Sequence, residues 1–223
     1  MSSVQAQFLQ LISHELRTPL TGIRGYSDLL AAERAGPLTD RQRHMLTMLN
    51  SCVHRLDSLI DDLLLLASVD AGMYGLVVED LDVARACERA VRTHTAHARP
   101  GEPVWRTARA DRPCVVQADP RQLDHLLAAL LNHAAGAFAG QAELVLTAAP
   151  DDPGVRITVS GTAAPATAED PAGLGLAVVR AVAEQHGGAV TVGDTAIRVA
   201  LPHLARPGAR LRVVDRPRVR RVA

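Results

Sequence analysis

The residues best suited to chemistry lie in one short string, Ser13-His14-Glu15-Leu16-Arg17-Thr18-Pro19-Leu20-Thr21-Gly22-Ile23. At about 100° per residue, a helix through this string gathers Phe8, Ile12, Leu16 and Ile23 on one face. His14 falls roughly opposite, toward solvent. Thr18 stands one turn further on, about 40° from His14, and shares its face. An exposed imidazole has a ring nitrogen able to attack phosphorus. Glu15 is adjacent and suited to orient or polarise that ring. Pro19 removes a backbone hydrogen bond, which predicts a bend just below the histidine. Other candidates are weaker. His94 and His97 sit three apart on a predicted helix, but no Cys or carboxylate is evidently placed to complete a metal set. A solvated face is expected there, and no metal site is assigned. The Asp61-Asp62 pair reads as capping or solvated. No nucleophile elbow, Walker loop or zinc motif is present.

The elements that must position these residues open with two helical stretches. In the second, Leu46, Leu49, Val53, Leu56, Ile60, Leu63 and Ala67 alternate at spacings of three and four, a seam of three heptads. His44 and His54 fall off this seam and are expected to be exposed. The first stretch repeats the rhythm with Phe8, Ile12, Leu16, Pro19, Ile23, Tyr26 and Leu30. Gly36-Pro37 breaks the chain between them, and Thr39 or Asp40 can cap the second helix. The pattern predicts an αα-hairpin. A lone hairpin buries little, so two copies are expected to form a dimeric four-helix bundle. The alternative is a seam packed on the rest of the same chain.

After Gly72 the rhythm changes. A short strand is expected near Leu76–Glu79, then a helix from about Asp82 to His97. Strands near Val104–Thr107 and Cys114–Gln117 and a helix from about Pro120 to Ala137 come next. Then come strands at Glu143–Ala148 and Val155–Ser160, a helix from about Gly175 to Gln185, and a closing hairpin ending near Leu201. Strands mixed with helices indicate an α/β sandwich. The expected division is a helical hairpin over 1–72, an α/β domain over 73–205 and a basic, disordered tail over 206–223.

The string around His14 closely resembles the H box of the sensor histidine kinases of two-component systems. The resemblance implies that His14 is phosphorylated and that Glu15 assists. It implies that Thr18 helps place a water for dephosphorylating the partner. It continues through Asp119-Pro120-Arg121-Gln122-Leu123, similar to the lead-in to that family's asparagine box. Gly173–Val179 (GLGLAVV) resembles its last glycine box, and AVAEQHGG, ending at Gly188, resembles the segment on the C-terminal side of that box. The second half thus looks like the family's ATP-binding domain.

The nucleotide boxes depart from the family. Its two magnesium-side Asn positions and its basic residue correspond to Ala129, His133 and Gly136, with Asn132 one residue off the required face. His133 is a poor ligand for a hard cation. The position of the adenine-binding Asp is Gly161, and Ala163 and Pro165 replace glycines. Only Gly173 and Gly175 remain as a residual phosphate loop at a helix N-terminus, and a tight loop-to-helix turn is their plainer use. The expected function is therefore phosphoryl transfer through His14, to or from the Asp of a response-regulator receiver domain or from an upstream histidine kinase. No cofactor of its own is expected, magnesium coming from the receiver. The alternatives are an ATP-dependent autokinase with divergent boxes, and a scaffold that binds a response regulator without transfer.

The 223 residues hold 24 basic and 24 acidic side chains, and every basic one is Arg. No Lys exists to serve as a nucleotide-box cation. Net zero conceals a division, because 206–223 holds seven Arg and one acid, Asp215, leaving an acidic body. Contact of that tail with an acidic receiver surface, a membrane or nucleic acid stands open beside a merely solubilising end. With 2% aromatics, Ala, Leu and Val must fill the core. Three scattered cysteines, no basic leader and no apolar run of about 18 residues predict a cytoplasmic, reduced chain without a membrane span.

Overall fold

The computed structural model describes residues 3–70, 75–96, 98, 101–108, 112–138, 140–161 and 173–203; of 3–10, 12–14 and 70 it describes the backbone alone. Two long helices come first, α1 (Ser3–Ala31) and α2 (Asp40–Asp70). Pro19 lies inside α1 without ending it. The start of α2 is a reciprocal cap. Gln42 N–H donates to Thr39 Oγ1 at 3.3 Å, while Thr39 N–H donates to Gln42 Oε1 at 2.8 Å. Arg43 then ties the turn together, pairing with Glu33 at 2.7 Å and Asp40 at 2.8 Å.

Among the described residues the hairpin's own core is thin: Leu20, Val53 and Ile60 form it, with Leu64 packed against them. The heptad seam of α2 divides. Val53, Ile60 and Ala67 are buried, whereas Leu49, Leu56 and Leu63 stay 42%, 44% and 46% exposed. On α1, Leu16, Ile23, Tyr26 and Leu30 are likewise exposed. One copy of the hairpin therefore leaves much of its apolar pattern in water.

The α/β part runs β1 (Glu79–Asp82), α3 (Val83–Ala96), β2 (Val104–Ala108), β3 (Val115–Ala118), α4 (Pro120–Ala137), β4 (Glu143–Asp151), β5 (Gly154–Gly161), α5 (Leu174–Gln185), β6 (Ala189–Val192) and β7 (Ala196–Pro202). The main sheet has the order β2-β4-β5-β7-β6. β2 and β4 are parallel, and the other neighbours are antiparallel. β1 and β3 form a separate antiparallel pair. Alternate residues Leu144, Leu146, Val155, Ile157, Val159, Ile197, Val199 and Leu201 are buried. They pack against Leu126, Leu127 and Leu130 of α4 and Val178, Val179 and Val182 of α5 in one core. Leu65 of α2 belongs to that core, with Leu66 and Val69 packed on it. The end of the hairpin is thus built into the α/β region.

The first strand lies three residues later than its pattern predicts. Leu76 and Val78 are buried as expected. The backbone between them is bonded elsewhere, however, because Val77 N–H donates to Asp119 Oδ2 at 2.9 Å. Asp119 is the hub of this region. Its Oδ1 caps α4 by accepting from Arg121 N–H at 2.9 Å and Gln122 N–H at 3.2 Å. Its own N–H donates to His186 Nε2 at 3.1 Å. His186 Nδ1 then lies 2.8 Å from Val182 C=O, so the proton sits on Nδ1 of a neutral ring. Burial pushes the His186 pKa down, in keeping with that form. Asp119→Ala leaves three N–H groups unpaired and is expected to cost about 2–4 kcal/mol. Urea denaturation checks this, and a loss below about 1 kcal/mol would contradict the hub.

Candidate functional site

His14 lies within the unbroken helix α1; its side chain is outside the described residues, as are those of Ile12 and Ser13. Glu15 and Thr18 are exposed, one turn of helix carrying both. Pro19 has no N–H for the Glu15 carbonyl, the acceptor four residues back. One turn below, Thr21 Oγ1–H donates to Arg17 C=O at 2.9 Å. Arg17 reaches across the hairpin and pairs with Asp61 of α2, fixing the two helices beside the candidate histidine. On the same helix, a Cβ added at Gly22 or Gly25 would meet nothing within 4 Å. The flank below Thr18 is therefore low and open.

Asp62 departs from the solvated role its sequence suggests. It is half-buried, and burial pushes its pKa up to about 6. The nearby Asp61 raises it further, while His125 of α4 opposes the shift. A raised carboxyl pKa means the folded chain binds the proton that the unfolded chain has lost. Stability therefore falls as pH rises from about 4 to about 6. Asp62→Asn is expected to gain about 1 kcal/mol at pH 7.5 after solvent screening is allowed for. The two Tm curves should converge near pH 4; parallel curves would contradict this assignment.

The second candidate region is where the start of α5 packs against α4. Gly173 is the N-cap of α5, and no side chain caps that end. A Cβ added at Gly175 would lie 3.3 Å from the Ala129 carbonyl oxygen and 3.5 Å from His133 Cβ. The N-terminal turn of α5 therefore rests on the face of α4 that carries Ala129 and His133. Ala129 is buried, His133 is half-buried, and Asn132 and Gly136 are exposed. At the end of β5, a Cβ on Gly161 would stand 2.0 Å from Gln141 Oε1. Nothing in the sequence singles out Gln141, which lies in the connection between α4 and β4. The adjoining segment 162–172, including Ala163 and Pro165, is outside the described residues.

His94 is not on a solvated face. Its side chain is 12% exposed, packs edge-on to Trp105 with ring centres 5.5 Å apart, and places Nε2 3.5 Å from Glu102 Oε2. Glu102 is a carboxylate the helical spacing did not reveal. His97 and the tail 206–223 lie outside the described residues. Among the described residues, no three His, Cys, Asp or Glu side chains gather as a metal set. His44 is exposed, and His54 is half-buried. No described helix is long and apolar enough to cross a membrane.

With this geometry in place, comparison with known proteins is decisive for the family. The His Kinase A (phospho-acceptor) domain pattern matches residues 4–72, the α1–α2 hairpin with His14 in its first helix. An uncharacterized sensor-like histidine kinase of Rhizobium meliloti is 32% identical across 97% of this chain. The chain belongs to the two-component histidine kinase family. Histidine protein kinase DivJ of Caulobacter vibrioides is 28% identical across 93% of the chain. The chain spans 46% and 39% of these two relatives, less than half of either. Among solved structures, histidine kinase AdeS of Acinetobacter baumannii shares the fold. It has a TM-score of 0.57 and 20% identity, covering 85% of this chain and 98% of that one. Full-length ShkA, solved in complex with AMPPNP, gives a TM-score of 0.61 and 27% identity over 91% of this chain and 47% of its own.

Proposed function

We propose that this histidine kinase relative moves phosphoryl groups through His14, to or from the Asp of a receiver domain. The observation that carries the reading is the phospho-acceptor match over α1–α2 together with Glu15 and Thr18 displayed on the exposed side of α1. In the loading direction, a ring nitrogen of neutral His14 attacks the phosphorus of an aspartyl phosphate. The P–N bond forms as the P–O bond to the carboxyl breaks, and the Asp leaves as a carboxylate. Glu15 orients the ring and accepts the proton of its other nitrogen as the P–N bond forms. Thr18 holds a water in line when the partner is to be dephosphorylated. The open flank at Gly22 and Gly25 gives a receiver room to bring its own Asp and magnesium against the helix.

The phosphoryl source in this reading is another phosphoprotein rather than ATP. Mg–ATP needs hard oxygen ligands and fixed cations. Ala129 has no donor atom in its side chain, Gly136 has no side chain, and His133 is a borderline nitrogen. Those residues do not fit the group. A working autokinase is the second reading, favoured by Gly173 and Gly175 at the uncapped start of α5. Incubation with γ-labelled ATP and magnesium, beside incubation with a phospho-labelled receiver domain, separates the two. Acid-labile label from the receiver alone is expected. Label from ATP would replace this reading by the second, and label from neither, with receiver binding intact, would leave a scaffold.

A further inference from the structure

We propose that His94, Glu102 and Trp105 form a proton-operated clamp between the end of α3 and the start of β2, which tightens when His94 takes up a proton. The clamp lies in the α/β region and does not depend on phosphoryl transfer.

The three groups come from separate stretches of chain. His94 is in the last turn of α3. Glu102 lies in the connection to β2, and Trp105 is the second residue of that strand. All three are largely withdrawn from water. The His94 and Glu102 side chains are 12% and 24% exposed, and Trp105 is buried. His94 Nε2 stands 3.5 Å from Glu102 Oε2, beyond the roughly 2.7–2.9 Å of a charge-assisted hydrogen bond. Glu102 Oε2 is buried and accepts no hydrogen bond. A carboxylate oxygen in that state is costly, and a cationic donor beside it offsets the cost. An imidazolium donates from both ring nitrogens, so protonated His94 is that donor whichever nitrogen carries the proton of the neutral ring. Protonation thus turns a loose contact into an ion pair inside the fold.

The surroundings leave the pair to itself. Ala90 and Val91, one turn back on α3, are apolar. Arg89 of the same helix is directed to Asp124 of α4. Side chains alternate along β2, so Trp105 meets His94 while Arg106 points to the other face, where its Nε–H donates to Glu143 Oε2 of β4 at 2.7 Å. Leu144, the partner of Trp105 on β4, is buried and apolar. Glu102 is the charged group that meets His94 from the described elements packed on it. Its carboxylate favours the charged ring, burial of the ring opposes charge, and the unfilled acceptor on Glu102 decides for the ion pair. The stabilisation is then present at low pH and is lost as pH rises through the midpoint of His94 in the folded chain.

The clamp carries its own signal. Trp105 is the sole tryptophan of the chain. It meets the His94 ring edge-on, with centres 5.5 Å apart and planes at 77°. A protonated imidazole beside an excited indole quenches its emission.

The test titrates the full chain from about pH 8.5 to about pH 5.5, a range that brackets the ordinary histidine value. Trp105 emission and Tm are read for the wild type, His94→Gln and Glu102→Gln. Wild-type emission should fall with pH along a one-proton curve, and His94→Gln should remove that curve. In Glu102→Gln the midpoint should move down by about one pH unit or more, because a neutral amide holds the imidazolium less well. The excess of wild-type Tm over that of His94→Gln should grow by about 2–4 °C from the high to the low end of the range. If His94→Gln folds poorly, Glu102→Gln, which keeps the shape of the side chain, carries the test through its midpoint. A flat wild-type curve, a curve that survives in His94→Gln, or a Glu102→Gln midpoint at or above that of the wild type would each overturn the clamp. No receiver enters these measurements, so failure of the phosphotransfer assay leaves the clamp standing, and failure of the clamp leaves the proposed function standing.

Discussion

His14→Gln should abolish acid-labile labelling from a phosphorylated receiver, a loss of at least about 1,000-fold, with the α-helical content of the chain unchanged. The size comes from the chemistry. A glutamine amide has no nucleophilic lone pair at neutral pH, so the covalent route is removed rather than slowed. His14 is on α1, where helix continuity does not depend on its side chain. Gln is a better helix former than His, so a folding defect is not expected. The neighbours should separate by step. Glu15→Gln keeps a hydrogen-bonding group but removes the charge, and should slow transfer by about 10²-fold. Thr18→Ala should leave labelling of His14 intact and slow loss of phosphate from the receiver. Time courses with one labelled receiver read all three. Acid-labile label on the His14→Gln chain at the wild-type level would place the phosphoacceptor on another residue and remove the basis of the proposal.

The hairpin and its acceptor string were legible because they depend on local rules. A heptad rhythm, a Gly-Pro break and a Thr39 cap each act over a few residues, and all three appear where the pattern puts them. The α/β order was legible for the same reason, since alternation marks β4 and β5 and Asp119-Pro120 marks the start of α4. The misplaced pieces all involve long-range partners. β1 starts late because Asp119, 42 positions away, holds the Val77 N–H. His94 is half-buried because Trp105 and Glu102 come back over α3. Asp62 is desolvated by packing that spacing along α2 does not foretell, with His125 of α4 near enough to oppose the shift. Gln141 stands beside Gly161 through a contact between a loop and a strand end. A side chain's environment in these cases is made by residues that no period or spacing connects. Resemblance could mark Gly161 as a missing Asp, but only coordinates could show what stands beside it.

The seam itself carries the last prediction. A heptad pattern does not say which of its two sets of positions faces which neighbour. In the structure, Val53 and Ile60 face inward to Leu20, while Leu49, Leu56 and Leu63 form an exposed row with Met45, Met48 and Leu59. Each such leucine is already about half-covered, so completing its burial is worth about 1 kcal/mol. A two-fold axis doubles every contribution, because each residue is buried once in each copy. Leu56→Lys replaces this gain with a charge that must be desolvated on both sides of the interface. The expected cost is about 4–6 kcal/mol of dimer, or about three to four powers of ten in Kd. Sedimentation at micromolar concentration should show wild-type dimer and variant monomer. The variant helix itself should survive, since Lys is a good helix former at an exposed site. Ile60→Ala is the informative contrast. It opens a cavity in the Leu20–Val53–Ile60 cluster and should lower Tm by weakening the hairpin, with no charge placed between copies. A Leu56→Lys chain that sediments as the wild type does would mean that a second copy does not cover the row. The apolar face would then need another occupant to explain why Leu49, Leu56 and Leu63 stand in water.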